Sequence, residues 1–181
     1  GPTGEEGYEV VCDRAHATTV LDTLLTRGLN AVPFGWQTWE TLTLEAGTPL
    51  FETELAGRIP NVVGVRNALD FEKGCYVGQE VVSRIENRGH PNERLVGLLP
   101  EAVPVPGASV FAGDRSVGEV TRAVESPIRE EPVALAVVEY DLPADEPLAV
   151  RVDGEDIPAA LEPLPFVAGS ERSARLPQYA E

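Results

Sequence analysis

A chain of 181 residues, 43% hydrophobic and 24% charged, has the make-up of a globular protein with room for one large domain or two small ones. Its apolar runs are all too short for a transmembrane helix, so a helical membrane span is excluded. Thirty Asp and Glu against fourteen Lys and Arg leave a net charge of −16, and no basic run stands apart from that field to offer a nucleic-acid patch.

The expected elements begin with a short strand over YEVVC, residues 8–12, after a Gly-rich turn. A helix follows from Ala15 to Arg27, with Val20, Leu21, Leu24 and Leu25 on one stripe and Gly28 at its C-terminal cap. A second helix is expected over Gln37–Ala46, with Trp39, Leu42 and Ala46 on one side and Gly47 as its stop. Residues 48–69 are irregular. A third helix then carries Val77, Val81, Val82 and Ile85 on its apolar side and closes at Gly89 and Pro91. From Asn92 onward the pattern changes to six short alternating segments: RLVGLL, ASVFA, SVGEVTRAVES, PVALAVVEY, LAVRVD and DIPAALEPL. Their spacing predicts a small antiparallel barrel or sandwich. The fold class is therefore α+β, with an α+β region over 1–91, a β-barrel over 92–169 and a polar tail over 170–181.

The cations are thirteen Arg and one Lys, Lys73. Excess carboxylate with almost no Lys resembles the proteins of salt-adapted organisms, in which molar salt shrinks the Debye length to ~3 Å and screens the self-repulsion. Low salt is then expected to destabilise the fold. Cys12 and Cys75, without a CxxC motif or a secretory signal, fit a reducing cytoplasm. The chain has no Met, and its abrupt opening leads us to expect a fragment whose N-terminal part is missing.

The densest chemistry lies in Lys73, Gly74, Cys75, Tyr76, Gly78, Gln79 and Glu80. Glycines flanking Cys75 let the backbone turn sharply and approach a ligand. A cysteine at a helix N-terminus beside an ammonium favours the thiolate, which makes Cys75 a candidate reactive sulfur; the bland reading is a small buried hydrophobe. Retention of the sole Lys two positions away points to a task for a compact ammonium that can lose its proton. The opening GPTGEEGYEV sets Thr3, Glu5, Glu6 and Tyr8 among three glycines, a turn that can offer a carboxylate to the donors of a flat heterocycle. Taken on its own, the segment reads first as a plain acidic turn before a strand. His16 and His90 lack the paired spacing of a zinc site, and neither accompanies a hydrolase nucleophile motif. No metal centre is expected.

Taken together, these segments resemble the glycine-cleavage T-protein superfamily of folate-binding proteins. GPTGEEGYE is similar to its G-Y-T-G-E-x-G-[YF]-E motif, TLTLEAGTPLF to L-R-L-E-A-G-x-x-L-[YF], and GEVTRAVESP to G-x-V-T-S…SP. KGCYVGQE matches the K-G-C-[YF]-x-G-Q-E signature of the YgfZ-like branch, which is implicated in maintaining iron-sulfur enzymes. The resemblance implies a remainder of a ferredoxin-like folate-binding region followed by a barrel. It implies tetrahydrofolate as cofactor, with Glu5 facing the pterin, Tyr8 in the same turn, and Arg84 and Arg88 as anion contacts for a glutamate tail. Lys73 and Cys75 would carry the chemistry within the signature patch. Trp39 and Thr43 stand where the family carries arginines, and the acidic residue that often follows the loop proline is not found after Pro60. Implied partners are a folate, iron-sulfur client or assembly proteins, and the missing N-terminal half of the same protein. Two functions follow from the resemblance: a tetrahydrofolate-binding YgfZ-like protein supporting iron-sulfur assembly, or a T-protein-like aminomethyltransferase passing a one-carbon unit to tetrahydrofolate. A non-catalytic interaction module is the third expectation.

Overall fold

The computed structural model describes residues 3–28, 31–65 and 69–170; Gly1 of the opening motif and the tail beyond Ser170 lie outside the described residues. A short 3-10 turn, Arg14–His16, leads into α1, Ala17–Arg27, and α2 spans Trp36–Glu45. A single π-helical turn covers Phe51–Leu55, and α3 covers Gln79–Arg88. Six strands complete the chain: β1 Glu93–Pro100, β2 Ser109–Ala112, β3 Arg115–Ser126, β4 Glu131–Glu139, β5 Leu148–Val152 and β6 Glu155–Glu162. No helix among the described residues is long and apolar enough to cross a membrane.

The strands close into an antiparallel barrel in the order β1-β4-β3-β2-β5-β6, with β6 pairing back onto β1. Closure removes every sheet edge, so no strand is left with an unpaired flank. Alternation along the strands sends Val96, Leu98, Val110, Val120, Ala134, Ala136 and Val150 inward to one core. The opposite faces of β1 and β4 do not meet water. Leu95, Val133, Leu135 and Val137 pack outside the barrel against Leu44 of α2, Val62, Val63, Leu164 and Phe166. Double coverage explains why PVALAVVEY is a near-continuous apolar run rather than a clean alternation. Close approach at this outer layer also explains Gly97, where an added Cβ would lie 2.6 Å from the Glu162 carbonyl oxygen and 2.9 Å from the Phe166 ring.

The helical part departs from the sequence expectation in three places. Residues 8–12 form no strand and have no ladder partner among the described residues, and Tyr8, Val10 and Val11 are exposed. A strand needs a neighbour to hydrogen-bond, and the described residues supply none. Helix α2 buries Thr43, Leu44 and Glu45, and of the expected side Ala46 is buried while Trp39 and Leu42 are half-buried, because its C-terminal turn rests on the barrel. Gly47 stops it as expected, at a φ of 65° that only glycine adopts without strain. Helix α3 starts at Gln79, not at Val77: Gly78, at a φ of 89°, is its N-cap, so fully exposed Val77 lies outside the apolar face and Val82 alone is fully covered.

Candidate functional site

The signature segment is a chain of local turns. Asp70 Oδ1 accepts the backbone N–H groups of Glu72 and Lys73 at 2.9 and 3.2 Å, an Asx turn that starts the loop. The Gln79 side chain reaches back to accept the Tyr76 N–H at 3.1 Å, and the Val81 N–H donates to the Gly78 carbonyl at 3.2 Å. Lys73 lays its ammonium over the Tyr76 ring, 5.0 Å from the centroid, a cation–π contact. Lys73, Tyr76 and Gln79 thus hold the turn, and Gly78 lets it enter the helix.

Cys75 is held out by this turn as a free, exposed thiol. It is neither the buried hydrophobe of the bland reading nor a helix-terminal residue. The helix begins beyond Gly78, and its first N–H, that of Gln79, donates to the Tyr76 carbonyl at 3.3 Å, while the Lys73 ammonium is directed to a ring face. The structure places Cys75 shortly before the N-cap Gly78, near the start of α3 and outside its first turn. Glu80 is exposed in the first turn of α3, where a carboxylate meets the positive end of the helix dipole.

Beneath the C-terminal half of α3 lies a groove of about 720 Å³. Ile59, Val62, Val81 and Ile85 form its apolar walls, and Arg84 and His90 supply polar groups. His90 stacks on Tyr140 with centroids 4.3 Å apart, and its Nε2 lies 3.7 Å from Asp141. Exposed Arg84 lines this mixed polar and apolar groove together with His90, Asn92 and Glu93, whereas the Arg88 side chain lies outside the described residues.

The opening turn goes elsewhere. Glu5 accepts hydrogen bonds from the Ser170 N–H at 3.2 Å and the Ser170 hydroxyl at 2.5 Å, so its carboxylate ties the two ends of the described chain together. Tyr8 is 91% exposed. Neither residue lines the groove that holds Arg84, and the described residues do not by themselves enclose a folate. His16 ends the 3-10 turn before α1, and among the described residues no cluster of His, Cys, Asp and Glu is placed to hold a metal ion.

A buried polar network between α2 and the barrel was not anticipated. Glu54, with no exposed surface, meets Arg122 Nε at 2.9 Å, and its other oxygen accepts the Leu50 N–H and the Thr53 hydroxyl, each at 2.7 Å. Glu45 accepts the Ser126 hydroxyl at 2.6 Å, and Ser126 Oγ in turn accepts the Arg129 N–H at 3.1 Å. Arg129 continues to Glu131 and Glu162, both at 2.6 Å; hydrogen bonds to Glu162 and then Glu131 hold its guanidinium above its ordinary value. The buried charges of Glu54 and Arg122 are paired with each other, as a low-dielectric interior requires, and the buried Glu45 carboxylate is hydrogen-bonded to the Ser126 hydroxyl. The signal was present, since Glu45, Arg122 and Ser126 all lie in the motif-like stretches, but nothing in the spacing says that those stretches touch.

A six-stranded closed barrel with a helix end and an ionic network on its outer face defines the class. Residues 93–168 match the family model described as the glycine cleavage T-protein C-terminal barrel domain. The chain is 35% identical over 176 residues to an aminomethyltransferase of Streptomyces coelicolor, covering 92% of this chain and 47% of the relative. It is 37% identical over 168 residues to one from Thermus thermophilus, covering 92% and 46%. The solved glycine cleavage system aminomethyltransferase T from Bartonella henselae superposes with a TM-score of 0.79 at 25% identity, covering 92% of this chain and 48% of that one. Residues 93–168 are thus similar to that barrel domain, and 92% of the chain is similar to these aminomethyltransferases. The chain spans about half the length of the curated relatives it matches.

Proposed function

We propose that this chain is part of a tetrahydrofolate-dependent aminomethyltransferase of the glycine-cleavage type, in which it supplies the barrel and the wall that faces a folate. What carries this reading is the likeness of nearly the whole chain, at 31–37% identity, to relatives named aminomethyltransferase. In this reading the remainder of a T-protein-length polypeptide covers the apolar face of α1 and pairs residues 8–12. It also completes a cavity to which Glu5, Tyr8 and Arg84 contribute. No chemical step is assigned to this chain alone, because its own residues do not close around the cofactor.

A second reading is favoured by one observation: KGCYVGQE is retained whole and its thiol is exposed rather than packed. An accessible cysteine suits transient sulfur chemistry, so the YgfZ-like role in iron-sulfur maintenance is the competing proposal, with Cys75 as the working group and cluster-assembly proteins as partners. The experiment uses the T-protein-length polypeptide at high salt. 5-Formyltetrahydrofolate is titrated into it and into Cys75→Ala, and methylene-tetrahydrofolate formation from an aminomethyl carrier is then assayed. Saturable binding and turnover in both proteins support aminomethyl transfer. Binding without turnover, together with loss of iron-sulfur enzyme activity in cells carrying only Cys75→Ala, supports the second reading. Absence of binding sinks both.

A further inference from the structure

Two positions of this chain carry the reverse of the motifs they resemble. L-R-L-E-A-G has arginine where Thr43 stands, and G-x-V-T-S has serine where Arg122 stands. In the fold these positions touch, for Arg122 Nη1 donates to Thr43 Oγ1 at 3.0 Å.

A β-bulge makes the meeting possible. Val120 pairs with Ala136 and Arg122 with Leu135, so Thr121 is the extra residue on β3. Cross-strand partners share a face. Ala136 points into the barrel and Leu135 points out, so the bulge switches Arg122 from the inner face to the outer one. Without it, Arg122 would thrust a guanidinium into an apolar barrel core. Outside, each of its three nitrogens meets an acceptor: Nε on Glu54 at 2.9 Å, Nη1 on Thr43, and Nη2 on the Thr48 carbonyl at 2.7 Å, with Arg122 only 7% exposed.

We infer that Arg122 is a positioning residue that delivers from the barrel strand the guanidinium the resembled motif carries on the helix, so that Thr43 and Arg122 form an exchanged pair. One buried carboxylate, Glu54, is paired with Arg122, and it balances one guanidinium. Two would place like charges side by side in low dielectric, and none would leave a buried carboxylate unpaired. The pair fixes the C-terminal end of α2 and the Leu50–Leu55 turn to the barrel wall. This inference stands apart from the proposed function and is tested without a ligand.

The test is a double-mutant cycle on thermal unfolding of this chain. Thr43→Arg and Arg122→Ser are each expected to lower Tm by roughly 10 °C, and the double variant to recover at least half of the summed loss. Additive losses would overturn the exchange. Arg122→Lys keeps the charge but lacks the planar fork that spans three acceptors. It is expected to speed amide hydrogen exchange over residues 43–55 at least tenfold while β4 amides keep their protection. Unchanged exchange over 43–55 would overturn the positioning role even if both single variants failed to fold.

Discussion

Strand β4 and helix α1 have comparably apolar faces and opposite fates. From Val133 to Val138 every residue of β4 is buried, with the barrel interior on one side and α2, Val62 and Phe166 on the other. Helix α1 buries none of its 11 residues, although Leu21, Leu24 and Leu25 recur at helical spacing. An isolated helix of that length is marginal in water, below the ~12–15 residues at which even Ala-rich sequences hold. Each fully buried Leu or Val of the barrel contributes about 1.5–3 kcal/mol relative to exposure, and the leucines of α1 contribute little of this. Amphipathic patterning therefore specifies a face. The partner decides whether that face stabilises anything.

The largest expected contrast follows directly. Leu98, with no exposed surface, lies in the barrel core, and Leu98→Ala is expected to cost about 2–5 kcal/mol through lost burial and the cavity left behind. Leu24 is 47% exposed on α1, and Leu24→Ala is expected to stay within about 0.5 kcal/mol in this chain. Chemical denaturation of the two variants measures both. Equal losses would mean that α1 is covered in solution, by a second copy or by a neighbouring segment. In the T-protein-length polypeptide the Leu24→Ala cost is expected to rise toward that of the barrel variant.

What was legible in the sequence divides along the same line. All six strands stand within one or two residues of their expected positions, because a closed barrel satisfies its pattern internally and Gly, Pro and Asp turns punctuate it. Residues 8–12 had the β-branched composition of a strand but no partner within the described chain, and composition cannot supply one. The start of α3 was misplaced because Val77 fits the apolar period, while the left-handed Gly78 that ends the loop is invisible to periodicity. Of the candidate site, the signature was legible as a block. Its internal bonding was not: Gln79 and Lys73 are turned onto Tyr76, and Cys75 is left outside. The buried Glu54–Arg122 pair was hidden for a further reason, since the facing of Arg122 depends on one extra residue in β3.

Salt sharpens the comparison between buried and exposed charge. With a net charge of −16, exposed carboxylates repel one another, and raising KCl from about 0.1 M to about 2 M is expected to raise Tm by several degrees. Glu54 and Arg122 lie inside, so the cost of Arg122→Ser is expected to be nearly the same at both salts. A Tm that falls with salt would show that attractive surface pairs outweigh the repulsion.

The smallest effect belongs to the exposed pair Arg151–Asp156. These residues face each other across β5 and β6 and form two parallel bonds, Nε to Oδ1 at 2.7 Å and Nη2 to Oδ2 at 2.8 Å. The Arg151 hydrogen bond holds the Asp156 carboxyl below its ordinary range. A carboxylate whose folded pKa is depressed stabilises the fold above its unfolded value, and that contribution is lost as pH falls through the folded value. Asp156→Asn should therefore melt slightly below the unsubstituted chain at about pH 6, with the gap closing as the pH drops below about 4. Thermal melts of both proteins across that range measure it, and the gap at pH 6 should also shrink in high salt. A gap that persists at acid pH would assign the Asp156 contribution to hairpin packing rather than to charge.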